Sequence, residues 1–285
     1  MSLARAGRRI LRLTLVTLHV MAGILVAWLV LRPRAGKVVS TRPMVIWSRL
    51  LCRILGVRLV VHGTPHSGTT LFVANHISWL DIYCIAAVCP THFLAKSEIA
   101  AWPLFGWLSR RVGTAFIRRG GDNGAGEAAQ QLIWRLRQGS RMVVFPEGTS
   151  TTGETVRRFY PRLLQSAIHV CCPVQAIALR YPKGTGINPV VPFMGDDDLL
   201  GHLWRLAGER WTIAELTFCE PLQAAGQSRN ALALQTHAQI SAVLQPADAV
   251  TAAPPWRHRQ ASGHQHQIEG SPESSSILHH YHHAC

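Results

Sequence analysis

The segment TLFVANHISWLDIY places Asn75 and His76 directly after an apolar run, with Asp81 five residues beyond the histidine. In a continuous helix five residues advance about 500°, so imidazole and carboxylate would point roughly 140° apart. They meet only across a strand-to-helix turn. Such a turn puts the imidazole at the carboxyl end of a strand, where open α/β sheets place their sites. Asp81 would then hold one ring nitrogen and leave the other free to accept a proton. The same spacing fits a capping box, with Ser78 as N-cap and Asp81 at N3, which would leave His76 an incidental loop residue. Asp81 is able to serve both purposes.

Three further segments carry chemistry-bearing residues at strand ends. RMVVFPEGTST closes a run with Pro146, Glu147 and Gly148: proline fixes the backbone before the acid, and glycine permits close approach of a substrate. Taken alone, this is also a plain turn with a solvated glutamate. VGTAFIRRG sets Arg118 and Arg119 where guanidinium groups suit phosphate, although an isolated arginine pair is equally a solvated face. LAKSEIAAWPLFGW ends a strand at Lys96, and Trp102, Pro103, Phe105 and Trp107 make an apolar surface fit either to guide an acyl chain or to pack a core helix.

Positioning these groups requires alternating elements. Short β-branched runs begin near residue 57 and recur as VRLVVHG, TLFVAN, HFLAK, TAFIRR, RMVVFPEG, PVQAIALRY and WTIAELTFCE. Helical stretches at 79 to 89, 97 to 111, 124 to 138 and 161 to 169 separate them. The pattern predicts a single α/β domain, residues 37 to 245, with a largely parallel mixed sheet flanked by helices. After about Gln245 the composition turns to Pro, Ser, Gln and His, so residues 246 to 285 read as a disordered tail.

Upstream, Leu13 to Leu31 carries no formal charge, and nineteen helical residues span roughly 29 Å, close to a hydrocarbon core. Residues 1 to 36 therefore read as a retained membrane anchor. A cleaved signal peptide would have a shorter apolar region and an A-x-A-like site, and a buried core helix is the other alternative. Trp47, Leu50, Leu51, Ile54 and Leu55 form one stripe of a following helix, which fits either the headgroup region or a protein core. Residues 1 to 80 hold 11 Lys and Arg and no acid, leaving 18 bases against 15 acids in the other 205 residues. That asymmetry points to anionic lipid, since a nucleic-acid binder would spread its charge over the folded body. Seven cysteines at irregular spacings (Cys52, Cys84, Cys89, Cys171, Cys172, Cys219, Cys285) make neither a disulfide framework nor a zinc ribbon, and most read as reduced thiols of a cytosol-facing protein.

In this order, NHISWLD, AKSEIAAWPLFGW, GTAFIRR, FPEGT and CPVQAIAL resemble the membrane-bound glycerolipid acyltransferases of the 1-acylglycerol-3-phosphate acyltransferase family, over about residues 40 to 220. The resemblance implies transfer of a fatty acyl group from acyl-CoA or acyl-carrier protein to the free hydroxyl of a lysophospholipid at the inner membrane, with the catalytic domain facing the cytoplasm. It implies His76 as general base and Asp81 as its orienting partner. Glu147, Gly148, Thr149 and Arg119, with Arg118 and Lys96, would face the acceptor. No metal or cofactor is implied: a base activates the hydroxyl and a thiolate leaves readily. Backbone N–H groups at the turn after His76 are candidates to receive the oxyanion, at positions that sequence does not place.

Two positions depart from the family pattern. Ser150 stands where FPEGT is often followed by Arg, and Arg118 stands where FI is often followed by Asp. Both bear on the acceptor headgroup: the resemblance points first to 1-acylglycerol-3-phosphate, giving phosphatidate, and lyso-ornithine lipid or another lysolipid is the alternative acceptor. A membrane-tethered protein that binds anionic lipid or nucleic acid without catalysis would explain the charge but leave the ordered motifs as coincidence. Seven of the fifteen histidines lie in the tail, where they would bind metal only weakly without a fold.

Overall fold

The seven expected strands all form in the computed structural model, which describes residues 3–29, 40–96, 106–107, 110–111, 114–117 and 124–245. They are β1 (Val57–His62), β2 (Thr70–Ala74), β3 (His92–Lys96), β4 (Ala115–Ile117), β5 (Arg141–Val144), β6 (Val174–Arg180) and, after a short hairpin of β7 (Pro182–Lys183) and β8 (Gly186–Ile187), β9 (Thr212–Phe218). The order across the sheet is β1-β9-β6-β2-β5-β3-β4. Every neighbouring pair is parallel except β6 with β9. The carboxyl ends of β2, β5 and β6, three adjacent central strands, therefore meet at one edge.

Strand β2 is buried at all five positions, as a central strand covered on both faces must be. Phe72 and Ala74 enter one core with Leu51 and Leu55 of α2 (Arg42–Leu55), Leu80 and Ile85 of α3 (Leu80–Val88) and Leu206 of α6 (Leu199–Ala207). Leu71 and Val73 enter the opposite core with Leu132 and Leu136 of α4 (Gly124–Arg137), Ala167 of α5 (Gln165–Val170) and Ile240 of α7 (Arg229–Leu244). The result is a mixed, mostly parallel sheet between two helical layers. Residues to Leu244 make one unit, and the expected tail from 246 lies outside the described residues.

Of the Trp47 to Leu55 stripe, Leu51 and Leu55 are buried in the core beside α3 and Trp47 packs against it, whereas Leu50 stays exposed. Arg49 donates to the Ala87 carbonyl at the end of α3 at 2.7 Å. Gly56 closes α2 in the left-handed region at φ 73°, its N–H bonding back to Arg53 and Cys52, a conformation that favours glycine.

Helix α1 (Leu3–Leu29) is long and apolar enough to cross a membrane. Its contacts with the body run from one end to the other. Arg8 donates to Gly208 O at 2.8 Å, and Arg12 to Glu209 O at 2.5 Å and Arg210 O at 3.1 Å, in the turn that follows α6. Midway, His19 stacks on Trp47 at 4.6 Å, and at the far end Arg111 donates to Ala27 O at 2.9 Å. Arg9, His19 and Ala27 are buried on this side, whereas Ile10, Leu11, Leu18, Met21, Leu25 and Trp28 are exposed on the other. At 1.5 Å per residue the helix is about 40 Å long and lies along the body.

Candidate active site

Helix α3 is apolar on every side and carries a single charged residue, Asp81, which is fully buried. A carboxylate in that position has to be hydrogen-bonded on both oxygens. One oxygen, Oδ2, accepts from His76 Nδ1 at 2.9 Å, from Ile77 N–H at 2.7 Å and from Ser78 N–H at 2.9 Å; Oδ1 accepts from the Tyr181 hydroxyl at 2.7 Å. An ionised carboxylate only accepts, so Nδ1 carries the proton and Nε2 presents its lone pair. His76 remains 23% exposed at its side chain, with Nε2 meeting no partner among the described residues. Its ring stacks on Phe145, centroid to centroid 4.2 Å.

Asp81 reaches across the turn to the imidazole, as expected, and also accepts the Ser78 N–H. The capping box itself does not form: α3 begins at Leu80 with Trp79 at its N-cap, and the buried Ser78 Oγ meets no partner among the described residues.

The turn itself is gripped by the loop after β5. Glu147 Oε1 accepts the His76 N–H at 2.7 Å and Oε2 accepts the Arg157 N–H at 2.8 Å. Thr151 N–H donates to His76 O at 2.9 Å, so the histidine backbone is held on both sides. Glu147 is buried, and that burial pushes its carboxyl above the ordinary range against the pull of its two backbone donors. Gly153, at φ 84°, lies so close to Ile77 that a Cβ would come within 2.6 Å of Ile77 Cδ1. Asn75 completes the frame: its side chain bonds Leu179 O at 3.0 Å and Leu179 N–H at 2.7 Å, extending the pairing of β2 with β6 beyond the last residue of β2.

Glu147, expected at the acceptor, accepts a backbone N–H on each oxygen and so braces the turn. The N–H groups of His76, Ile77 and Ser78 donate to Glu147 and Asp81. Gly148 stands at φ 76° and Thr149 is exposed beside it. Ser150 donates its hydroxyl to Phe193 O and so ties two loops together. Lys96 ends β3 in the backbone. Arg118 and Arg119, with Trp102, Pro103 and Phe105, lie outside the described residues. Ile117, the end of β4, is on the same sheet edge as Ala74 but three strands away, about 14 Å at the usual strand spacing. Tyr181, Asn75 and Thr151 were given no role from sequence. The available signal for Tyr181 was a hydroxyl one residue past an apolar strand.

A family model described as Acyltransferase matches residues 58–180, the stretch from β1 to the end of β6 that holds the His76 turn. A lyso-ornithine lipid O-acyltransferase of Pseudomonas aeruginosa is 40% identical over 226 residues, covering 77% of this chain and 86% of that protein. A 1-acyl-sn-glycerol-3-phosphate acyltransferase of Neisseria gonorrhoeae is 34% identical over 191 residues, covering 67% and 75%. The crystal structure of a 1-acyl-sn-glycerophosphate acyltransferase from Thermotoga maritima shares the fold, with a TM-score of 0.61 over 88% of this chain and 97% of that one at 20% identity. With its His-x4-Asp pair at the head of a mostly parallel sheet and relatives of this identity and coverage, the chain belongs to the acyltransferase family.

Proposed function

We propose that this protein is a membrane-bound O-acyltransferase that moves a fatty acyl group from acyl-CoA or acyl-carrier protein to the free hydroxyl of a lysolipid. The observation that carries the reading is the His76–Asp81 pair, closed at 2.9 Å on Nδ1 and open at Nε2. Nε2 takes the proton of the acceptor hydroxyl as its oxygen attacks the thioester carbonyl. The tetrahedral intermediate then collapses, the C–S bond breaks, and the thiolate recovers the proton from His76. Asp81 balances the transient imidazolium, and Phe145 walls one ring face.

Lyso-ornithine lipid is the acceptor we favour, in view of the 40% identical relative of that name and of Ser150, whose hydroxyl is occupied with Phe193 and brings no cation to a phosphate. The second reading, 1-acylglycerol-3-phosphate, draws on the Neisseria relative and on Arg118 and Arg119, with Lys96 and Thr149 as further acceptor contacts. Membranes containing the protein, given each lysolipid with labelled acyl-CoA or acyl-carrier protein, decide between them by product mass. Lyso-ornithine turnover indifferent to Arg119→Ala is expected. Exclusive use of 1-acylglycerol-3-phosphate, with KM raised by Arg119→Ala, would establish the second reading.

For localisation, we place α1 in the membrane surface with its exposed apolar face toward lipid and the catalytic body in the cytoplasm. The end-to-end contacts of α1 with the body and its exposed apolar face support the first part.

A further inference from the structure

The Tyr181 hydroxyl lies 2.7 Å from Asp81 Oδ1, the oxygen that His76 does not use. Tyr181 is fully buried and follows β6 directly, while Asp81 opens α3 100 residues earlier, so the contact joins two of the three strand ends that build the site. Its backbone is held as well: the Tyr181 carbonyl accepts the Asn188 N–H at 2.7 Å, anchoring the β7–β8 hairpin. We propose that Tyr181 is a positioning residue for the reaction, its hydroxyl fixing the rotation of the Asp81 carboxylate and drawing off part of its charge, and thereby setting the proton affinity of His76. This inference rests on the catalytic reading of His76 and Asp81 given above.

The geometry leaves the carboxylate few other options. Oδ2 already serves three donors, so without the phenol Oδ1 would be a buried, unpaired oxygen, free to turn the carboxyl plane away from the ring. The remaining titratable groups around the pair are the Cys84 thiol on α3, 3.7 Å from the Tyr181 hydroxyl, the Cys52 thiol on α2 beside it, and Glu147 across His76. Burial and the neighbouring Asp81 hold the phenol well above its ordinary value, and burial does the same to the Cys84 thiol, so both remain neutral through the working pH range and the phenol stays a donor.

A neutral donor on Oδ1 weakens the pull of Asp81 on the imidazolium. Its removal should raise the proton affinity of His76, which acts as base only when deprotonated, so activity should be lost at a higher pH on the acid side. The test is Tyr181→Phe, which keeps the ring and deletes the hydroxyl, assayed for acyl transfer from pH 5 to 9 beside a thermal melt. We expect kcat lower by about tenfold, KM within about twofold, and the acid limb of kcat/KM moved up by about half a pH unit. Replacing all four tyrosines with 3-fluorotyrosine leaves packing intact and makes the phenol a stronger donor, so the limb should move down, and the shift should vanish when Tyr181→Phe carries the same label. An acid limb unmoved in both proteins would overturn the proposal and reduce Tyr181 to packing. His76→Ala separates the two levels: full turnover in that variant sinks the catalytic reading itself, whereas an inactive His76→Ala beside an unmoved limb sinks only the role of Tyr181.

Discussion

Asp81 and Glu147 are both buried carboxylates within one turn of His76, and both accept backbone N–H groups, yet they are wired to different things. Asp81 takes two backbone donors on an oxygen that also meets the imidazole, and its other oxygen meets a phenol. Glu147 meets backbone alone, one N–H per oxygen, from His76 and Arg157. The first carboxylate is connected to a group that gains and loses a proton; the second is connected to groups that never do. A buried acid beside a histidine is thus not by itself coupled to the imidazole. What decides is whether its hydrogen bonds end on a titrating atom.

The largest test of this contrast is removal of the titrating partners. His76→Ala is expected to cost about 10² to 10⁴ in rate at a melting temperature near wild type, with Asp81→Asn close behind in rate but also less stable, because donors meet both oxygens of Asp81. Equal rate losses from Glu147→Gln at an unchanged melting temperature would break the distinction.

Glu147→Gln should instead lose stability, because the amide offers one acceptor where two N–H groups wait. A loss of about 1 to 3 kcal/mol is expected, with activity falling about tenfold as the His76 turn loosens. Denaturant or thermal unfolding beside the activity assay measures both.

The pH dependence sharpens the same point. Because the folded carboxyl of Glu147 binds its proton more tightly than the ordinary value of 4.5, this group favours the fold most below that value. Its contribution falls as pH rises from about 4.5 through the higher folded value. The stability advantage of wild type over Glu147→Gln should therefore shrink over that window. Melts at steps from pH 4 to 7 test it, and a growing advantage would mean that the backbone donors outweigh burial.

The smallest effect is expected far from both acids. Arg12→Ala removes the cation that binds the carbonyls in the turn after α6, a partly exposed contact worth about 1 kcal/mol, with no change in the acid limb of activity. Melting in detergent at low and high salt is the measurement.

The His76–Asp81 pair was legible in the sequence because its partners are five residues apart, within a single turn whose geometry local spacing dictates. The seven strands were legible for the same reason, each being a short β-branched run bounded by turns. Helices α6 and α7 were not singled out. In α7 the buried positions Leu232, Ala233, Thr236 and Ile240 include a small and a polar residue, so its apolar stripe is faint in the chain and becomes a face only against β6 and its neighbours. The contacts of Asp81 with the imidazole and with the Ser78 N–H share one spacing, and local sequence has no means to separate them.

What only the tertiary structure decided is which distant groups complete that turn. Glu147 reaches the His76 N–H from 71 residues away, Asn75 pairs with Leu179 across 104, and Tyr181 meets Asp81 across 100. Sequence determined that a histidine and a partner carboxylate would sit at the end of a buried strand, since hydrophobic burial sets the strand and chain geometry sets the turn. Whether a second acid faced substrate or backbone, and whether a phenol stood behind the first, depended on strand order, because β5 and β6 flank β2 only once the sheet has assembled.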